Sequence, residues 1–257
     1  MLPIMEVFSS IQGEGSNAGH ISVFIRVGGC NFRCPGFNVE YECPKTGDKK
    51  LGCDSFYSVD PAFKKDWNLV TSFEDIVDLV DEVIPSYPKA VLTKPEIVIT
   101  GGEPTLYWQD VEFQKLLAYY VSRNHDVTIE TNASKDIHFK RDYQRKIKFS
   151  MSVKLLNSGE AEHKRINIDN ITNIIENAPQ SYLKFVVDKN NMDNEEAEID
   201  AILREIPVYV DCYLMPLGDT KVSLEENAKS VIELCIKKGF KYSDRLHIRI
   251  WDNEAGV

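Results

Sequence analysis

RVGGCNFRCPGFNVEYECPKTGDKKLGCDSFYSVD, running from Arg26 to Asp60, holds four of the six cysteines in the chain: Cys30, Cys34, Cys43 and Cys53. Pro35, Gly36, Pro44, Gly47 and Gly52 punctuate it, so the stretch reads as loop and not as core strand or helix. Buried structural cysteines usually stand singly on apolar faces, and Cys212 and Cys235 have that setting. Four thiols on one glycine- and proline-rich loop leave three explanations: a disulfide pair, a zinc site or an iron–sulfur cluster.

Composition bears on that choice. The sequence shows no secretory h-region at its start and no apolar run near the roughly 20 residues of a membrane span. The expected compartment is therefore cytoplasmic and reducing, where disulfides rarely persist. A net charge of −10, with no basic patch denser than Lys45, Lys49 and Lys50, argues against nucleic acid and anionic membrane as partners.

Outward from the loop, residues 21–27 (ISVFIRV) form an apolar, β-branched strand whose Arg26 interrupts the run just before the cysteines. A strand-end arginine is commonly solvated, but beside a cofactor it can grip a substrate carboxylate through a bidentate pair. Upstream, Gln12-Gly13-Glu14-Gly15 places a carboxylate between two glycines, either a plain surface turn or a point where backbone presses on a ligand. Downstream, the periodicity predicts a helix over 73–83 with Ser72 as N-cap, a strand over 96–100, a helix carrying Val111 to Tyr120, and strands over 127–130 and 147–153. Helices over 167–177, 195–205 and 224–238 alternate with strands over 182–187 and 208–214, and a last strand is expected over 246–251. Such β–α alternation predicts an α/β fold, a partial (β/α) barrel of mostly parallel strands, in one domain spanning 1–257. No dinucleotide fingerprint or phosphate loop follows any strand. The polar signals instead follow successive strands: Gly28-Gly29-Cys30, Gly101-Gly102-Glu103-Pro104, Glu130-Thr131-Asn132 and Ser152-Val153-Lys154. Strand C-terminal ends open on one face in such folds, so this repeated placement locates a site there.

Cys30-x3-Cys34 with a later Cys53, followed by GGEP at 101–104, resembles the radical S-adenosylmethionine superfamily. Together with Ile11-Gln12-Gly13-Glu14-Gly15, Cys53-Asp54-Ser55, ETN and SVK, the set is similar to the 7-carboxy-7-deazaguanine synthase family, over residues 6–154. That resemblance implies a [4Fe–4S] cluster held by Cys30, Cys34 and Cys53, with one iron open to S-adenosyl-L-methionine and reductive cleavage to a 5′-deoxyadenosyl radical. It further implies that Gly101, Gly102, Glu103, Thr131, Ser152 and Lys154 hold S-adenosylmethionine, with Glu103 at the methionyl ammonium. Gln12, Glu14 and Arg26 are expected on the substrate, 6-carboxy-5,6,7,8-tetrahydropterin, and Ser55 on a Mg²⁺ ion. The expected partners are that small pterin, an electron donor such as flavodoxin or ferredoxin, and a second copy of the chain. The match departs from the family pattern where eighteen residues separate Cys34 from Cys53, an expanded cluster loop at about 28–60 that brings Cys43 as rival third ligand. Gly52 stands where the family has an aromatic, leaving Phe56 or Tyr57 to pack on adenine, and Val153 stands where it has proline. Two other readings are a glycyl-radical activating enzyme with a protein substrate and a four-cysteine zinc-binding domain.

Overall fold

The structure is a computed structural model, and it describes residues 1–84, 87, 94–254 and 256. Strands β1 (Leu2–Ile11) and β2 (Ile21–Val27) lead into the cysteine loop, which contains the short pair β3 (Val39–Glu42) and β4 (Lys49–Gly52) and helix α1 (Phe56–Val59). Strand β5 (Asn68–Val70) and helix α2 (Phe73–Val83) follow, then β6 (Glu96–Gly101), α3 (Val111–Ser122), β7 (Val127–Thr131) and β8 (Lys148–Ser152). The second half runs α4 (Glu162–Arg165), α5 (Ile168–Asn177), β9 (Tyr182–Val187), α6 (Met192–Glu205), β10 (Asp211–Pro216), α7 (Lys221–Lys238), β11 (Lys241–Tyr242) and α8 (Leu246–Trp251).

Nine strands form one sheet in the order β11-β10-β9-β8-β7-β6-β2-β1-β5. From β2 to β11 every neighbouring pair is parallel, as the β–α alternation requires, while β1 and β5 close one side antiparallel. The two edges are not hydrogen-bonded to each other, so the barrel is partial. Residues 243–252 cross that gap: Leu246 N donates to Gly13 O at 2.9 Å, and Gly15 N donates to Ser243 Oγ at 2.9 Å.

The parallel strands are two-sided. Val23, Ile25, Ile97, Ile99, Ile129, Phe149, Leu183 and Phe185 pack outward in one continuous apolar core beneath the helices. Each such side chain stabilises the fold by about 1.5–3 kcal/mol. The alternate positions turn inward: Phe24 and Arg26, Thr100, Glu130, Ser152 and Lys184 all line one cavity. The helix caps hold as expected, with Ser72 Oγ accepting from Asp75 N at the start of α2.

Three differences from the sequence expectations stand out. Strand β1 precedes and supports β2, where only a turn at its end was expected. Strand β10 is set three residues later than expected at its start and two at its end. The segment 246–251, expected as a strand from its apolar–polar alternation, is helix α8. Its Leu246 N–H is already taken by Gly13, it is paired with no strand among the described residues, and of its apolar side chains only Ile248 is buried.

Candidate active site

The cavity, of about 610 Å³, lies on the inner face of the sheet and is the size of a small-molecule site. Cys30, Cys34 and Cys53 share its wall, and Cys43 does not. The insertion explains this: β3 and β4 pair antiparallel with each other in a sheet of their own, so the chain leaves and returns close to the same place. Cys43 sits at the hairpin turn, its backbone bonded to Asp48 and Gly47. Of the three cavity thiols Cys34 is buried and Cys30 and Cys53 are half-buried, and they are close enough to feel one another. Burial pushes Cys30 and Cys34 up to about 12 and Cys53 up to about 11, and Lys154 pulls against it at all three.

Among the described residues, no three His, Cys, Asp or Glu side chains converge as one metal ion demands. A [4Fe–4S] cube takes each thiolate on a different iron, so three separated thiols on one wall fit it better than a single zinc. Loading such a cluster displaces the thiol protons.

The loop is fixed from two sides. Gly102 N donates to Val27 O at 2.9 Å and Glu103 N to Gly29 O at 2.8 Å, and a Cβ on Gly102 would stand 1.9 Å from Gly29 O. Only glycine lets the backbone after β6 approach the cysteine loop this closely. On the other side, the Glu160 carboxylate accepts from Arg33 N at 2.7 Å and from Cys34 N at 2.9 Å. Buried Arg165 bonds Glu160 O, Lys154 O and the Glu198 carboxylate, and so holds the whole 154–160 segment against the cysteines.

Of the expected S-adenosylmethionine residues, Gly101, Gly102, Thr131, Ser152 and Lys154 reach the cavity. Lys154 Nζ donates to Ser152 Oγ at 2.8 Å and lies over the Phe37 ring. Glu103 is placed differently. Its side chain is fully buried off the cavity wall, where Oε1 accepts from Thr105 N and the Thr131 hydroxyl and Oε2 from Asn132 N. The carboxylate expected at the methionyl ammonium is thus spent on tying the turn after β6 to the one after β7, and backbone at 101–102 faces the cavity instead. Tyr57 borders the cavity, whereas Phe56 stacks on Tyr41 at 4.4 Å and does not.

The expected substrate residues all line the same cavity, with partners the sequence did not announce. Gln12 Nε2 reaches Glu130, and Gln12 Oε1 accepts from Glu14 N. Glu14 is clasped by Lys184 and by Arg245, whose Nε lies 2.9 Å from Oε1. Burial pushes the Glu14 carboxyl upward, but Lys184, Arg245 and His247 outweigh it and hold it well below the usual carboxylate range. Arg26 donates through Nε to Glu6 at 2.6 Å and through Nη1 to Ser55 Oγ at 3.4 Å. Among the described residues no hydrogen bond is made by its Nη2. Ser55 fits Mg²⁺ poorly: its hydroxyl faces the Arg26 guanidinium and the adjacent Asp54 is paired with Arg245 at 2.6 Å. Two cations already compensate the charge a divalent ion would meet.

Lys184 and Glu130 had a readable signal. Each is a lone charge in an apolar strand on the inward parity that Arg26 also occupies. Arg245 and Asp54 had none, since their pairing spans the length of the chain.

A mostly parallel sheet thus carries three thiols on the loop after its first parallel strand, with a glycine backbone and a lysine beside them. No protein-family model matches the chain. A 7-carboxy-7-deazaguanine synthase of Halobacterium salinarum is 32% identical, over 98% of this chain and 91% of that protein. One of Rhodopirellula baltica is 31% identical, over all of this chain and 89% of its own. The crystal structure of QueE from Escherichia coli superposes with a TM-score of 0.63 at 20% identity, covering 96% of this chain and 94% of that one. The chain belongs to the 7-carboxy-7-deazaguanine synthase family. Membership implies a [4Fe–4S] cluster and S-adenosylmethionine, which the three-thiol wall fits. No helix among the described residues is long and apolar enough to cross a membrane.

Proposed function

We propose that this chain contracts the ring of 6-carboxy-5,6,7,8-tetrahydropterin to 7-carboxy-7-deazaguanine, with loss of ammonia. The observation that carries the reading is that an ionised Glu14 and Arg26 line one cavity with the three thiols. A pterin presents adjacent N–H donors at one end and, in this substrate, a carboxylate at the other. Glu14 keeps lone pairs beyond those used by Lys184 and Arg245, so it can still accept from the ring. Arg26, braced by Glu6, offers its remaining N–H donors to the carboxylate. Gln12 fixes the turn that carries Glu14, and Glu130 holds Gln12 in return.

When bound, the cluster and S-adenosylmethionine supply a 5′-deoxyadenosyl radical that takes hydrogen from substrate carbon. Cys30, Cys34 and Cys53 would hold the cluster, while Lys154, the Gly101-Gly102 backbone, Thr131 and Ser152 would hold the methionyl end. The chain's own work is placement, charge complementarity and exclusion of water.

Anaerobic incubation of the reconstituted protein with the carboxypterin, S-adenosylmethionine and a reductant tests this. The expected outcome is a product of the mass of 7-carboxy-7-deazaguanine and stoichiometric ammonia. Formation of 5′-deoxyadenosine with the carboxypterin recovered intact would mean a different substrate.

A further inference from the structure

We propose that Arg245 is a positioning residue that fixes the distance between the cluster loop and the substrate site by holding Asp54 and Glu14 in one plane. The inference rests on the function proposed above. Arg245 spends each face of its guanidinium on a different segment: Nε donates to Glu14 at 2.9 Å, Nη2 to Asp54 at 2.6 Å and Nη1 to Gly218 O at 2.6 Å. Asp54 is the residue after cluster-loop Cys53, Glu14 lies in the turn after β1, and Gly218 lies between β10 and α7. These bonds use three of the five guanidinium N–H donors, one on each nitrogen, and tie Arg245 to all three segments at once.

Little else joins Asp54 to Glu14. Among the described residues the other Asp54 oxygen takes only the Ser55 hydroxyl, at 3.3 Å. The two carboxylates repel, and among the described residues Lys184 is the one other ion-pair partner of Glu14 and Asp54 has none besides Arg245. The residues on either side of Arg245 are pinned to the turn that carries Glu14, where Leu246 N meets Gly13 O and Gly15 N meets Ser243 Oγ, so the reach of Arg245 to Asp54 sets where the cluster loop stands relative to that turn. A planar five-donor fork can bridge two carboxylates and a carbonyl at once, whereas an ammonium cannot keep that geometry.

A radical formed at the cluster must meet its hydrogen at short range, and a misplacement of about 1 Å costs about a hundredfold in rate. Full-length, reconstituted Arg245→Gln is therefore expected to keep wild-type iron content and to cleave S-adenosylmethionine. Its kcat for product should fall by about a hundredfold with a smaller change in KM, and the ratio of 5′-deoxyadenosine to product should rise by about tenfold or more. Arg245→Lys should lie between the two. A ratio and kcat within about twofold of wild type in Arg245→Gln overturn the proposal. If Arg245→Gln fails to load iron, Asp54→Asn, which cuts only one arm of the fork, must show the same uncoupling, and normal coupling there is equally fatal. If the wild type makes no product from the carboxypterin, the functional reading fails separately. The fork then remains testable by a thermal-midpoint cycle of Arg245→Gln and Asp54→Asn, in which additive effects refute it.

Discussion

Gly13 shows how much one missing side chain can matter. A Cβ there would stand 2.1 Å from His247 Nδ1 and 3.0 Å from His247 N, so the turn after β1 exists to admit the C-terminal segment. Gly13→Ala is expected to push His247 and Glu14 from their places, raising the carboxypterin KM by about tenfold while iron content stays at the wild-type level; kinetics and iron analysis check this. At the cysteines the placement is equally decisive. The neighbouring Thr46 hydroxyl and Lys45 backbone lower the Cys43 thiol to about 7 within its own turn, whereas Cys53 lies on the cavity wall. Cys53→Ala should abolish cluster assembly and Cys43→Ala should leave it intact, as read by iron and sulfide content. The Cys-Asp-Ser match in the sequence singled out the third of the thiols that share the cavity wall, and the odd position of Arg26 in an apolar strand singled out a cavity-lining arginine. The sequence could not show that Glu103 is consumed by Thr105, Thr131 and Asn132, because those bonds depend on how two strand ends sit side by side.

Between elements, the junction of α6 with the 154–160 segment carries an unusual buried acid. Glu195 is fully buried, its Oε1 has no donor, and the neighbouring Asn157 Oδ1 has none either. Burial raises Glu195 to about 7, and a proton on it would join the two acceptors. With its pKa raised in the fold, Glu195 contributes stability that is complete below about 4.5 and is lost as pH rises through about 7. Glu195→Gln brings a permanent donor, so its thermal midpoint should exceed wild type by about 2–4 °C near pH 8, with no gain at acid pH. A midpoint unchanged at alkaline pH would show that the site is hydrogen-bonded in another way. Elements governed by local signals were legible: α2 behind its Ser72 cap, and β2, β6, β7 and β9 as apolar runs. Leu246–Trp251 was not, since its alternation fits a strand and only the want of a partner makes it α8.

Over the whole molecule, the parallel order follows from β–α alternation, but the way the open side is sealed does not. Strands β11 and β5 are far apart in the sheet, and residues 243–252 bring Arg245 and His247 into the cavity across that gap. Removing 243–257 should leave the nine strands and the cluster loop able to take up iron while carboxypterin binding is lost, as titration calorimetry and iron analysis would show together. Carboxypterin affinity surviving the truncation would place the substrate elsewhere. The β3–β4 hairpin has a practical side as well. Residues 44–49 at its turn are exposed, and the paired strands return the chain to where it departed. Spacing along the chain between the second and third thiols is therefore decoupled from their separation in space, and sequence can be gained or trimmed at that tip without retuning the chemistry. The tip is a natural splice point for a fluorophore or affinity handle, one that would report on the loop carrying the three thiols while leaving the cavity wall they share alone.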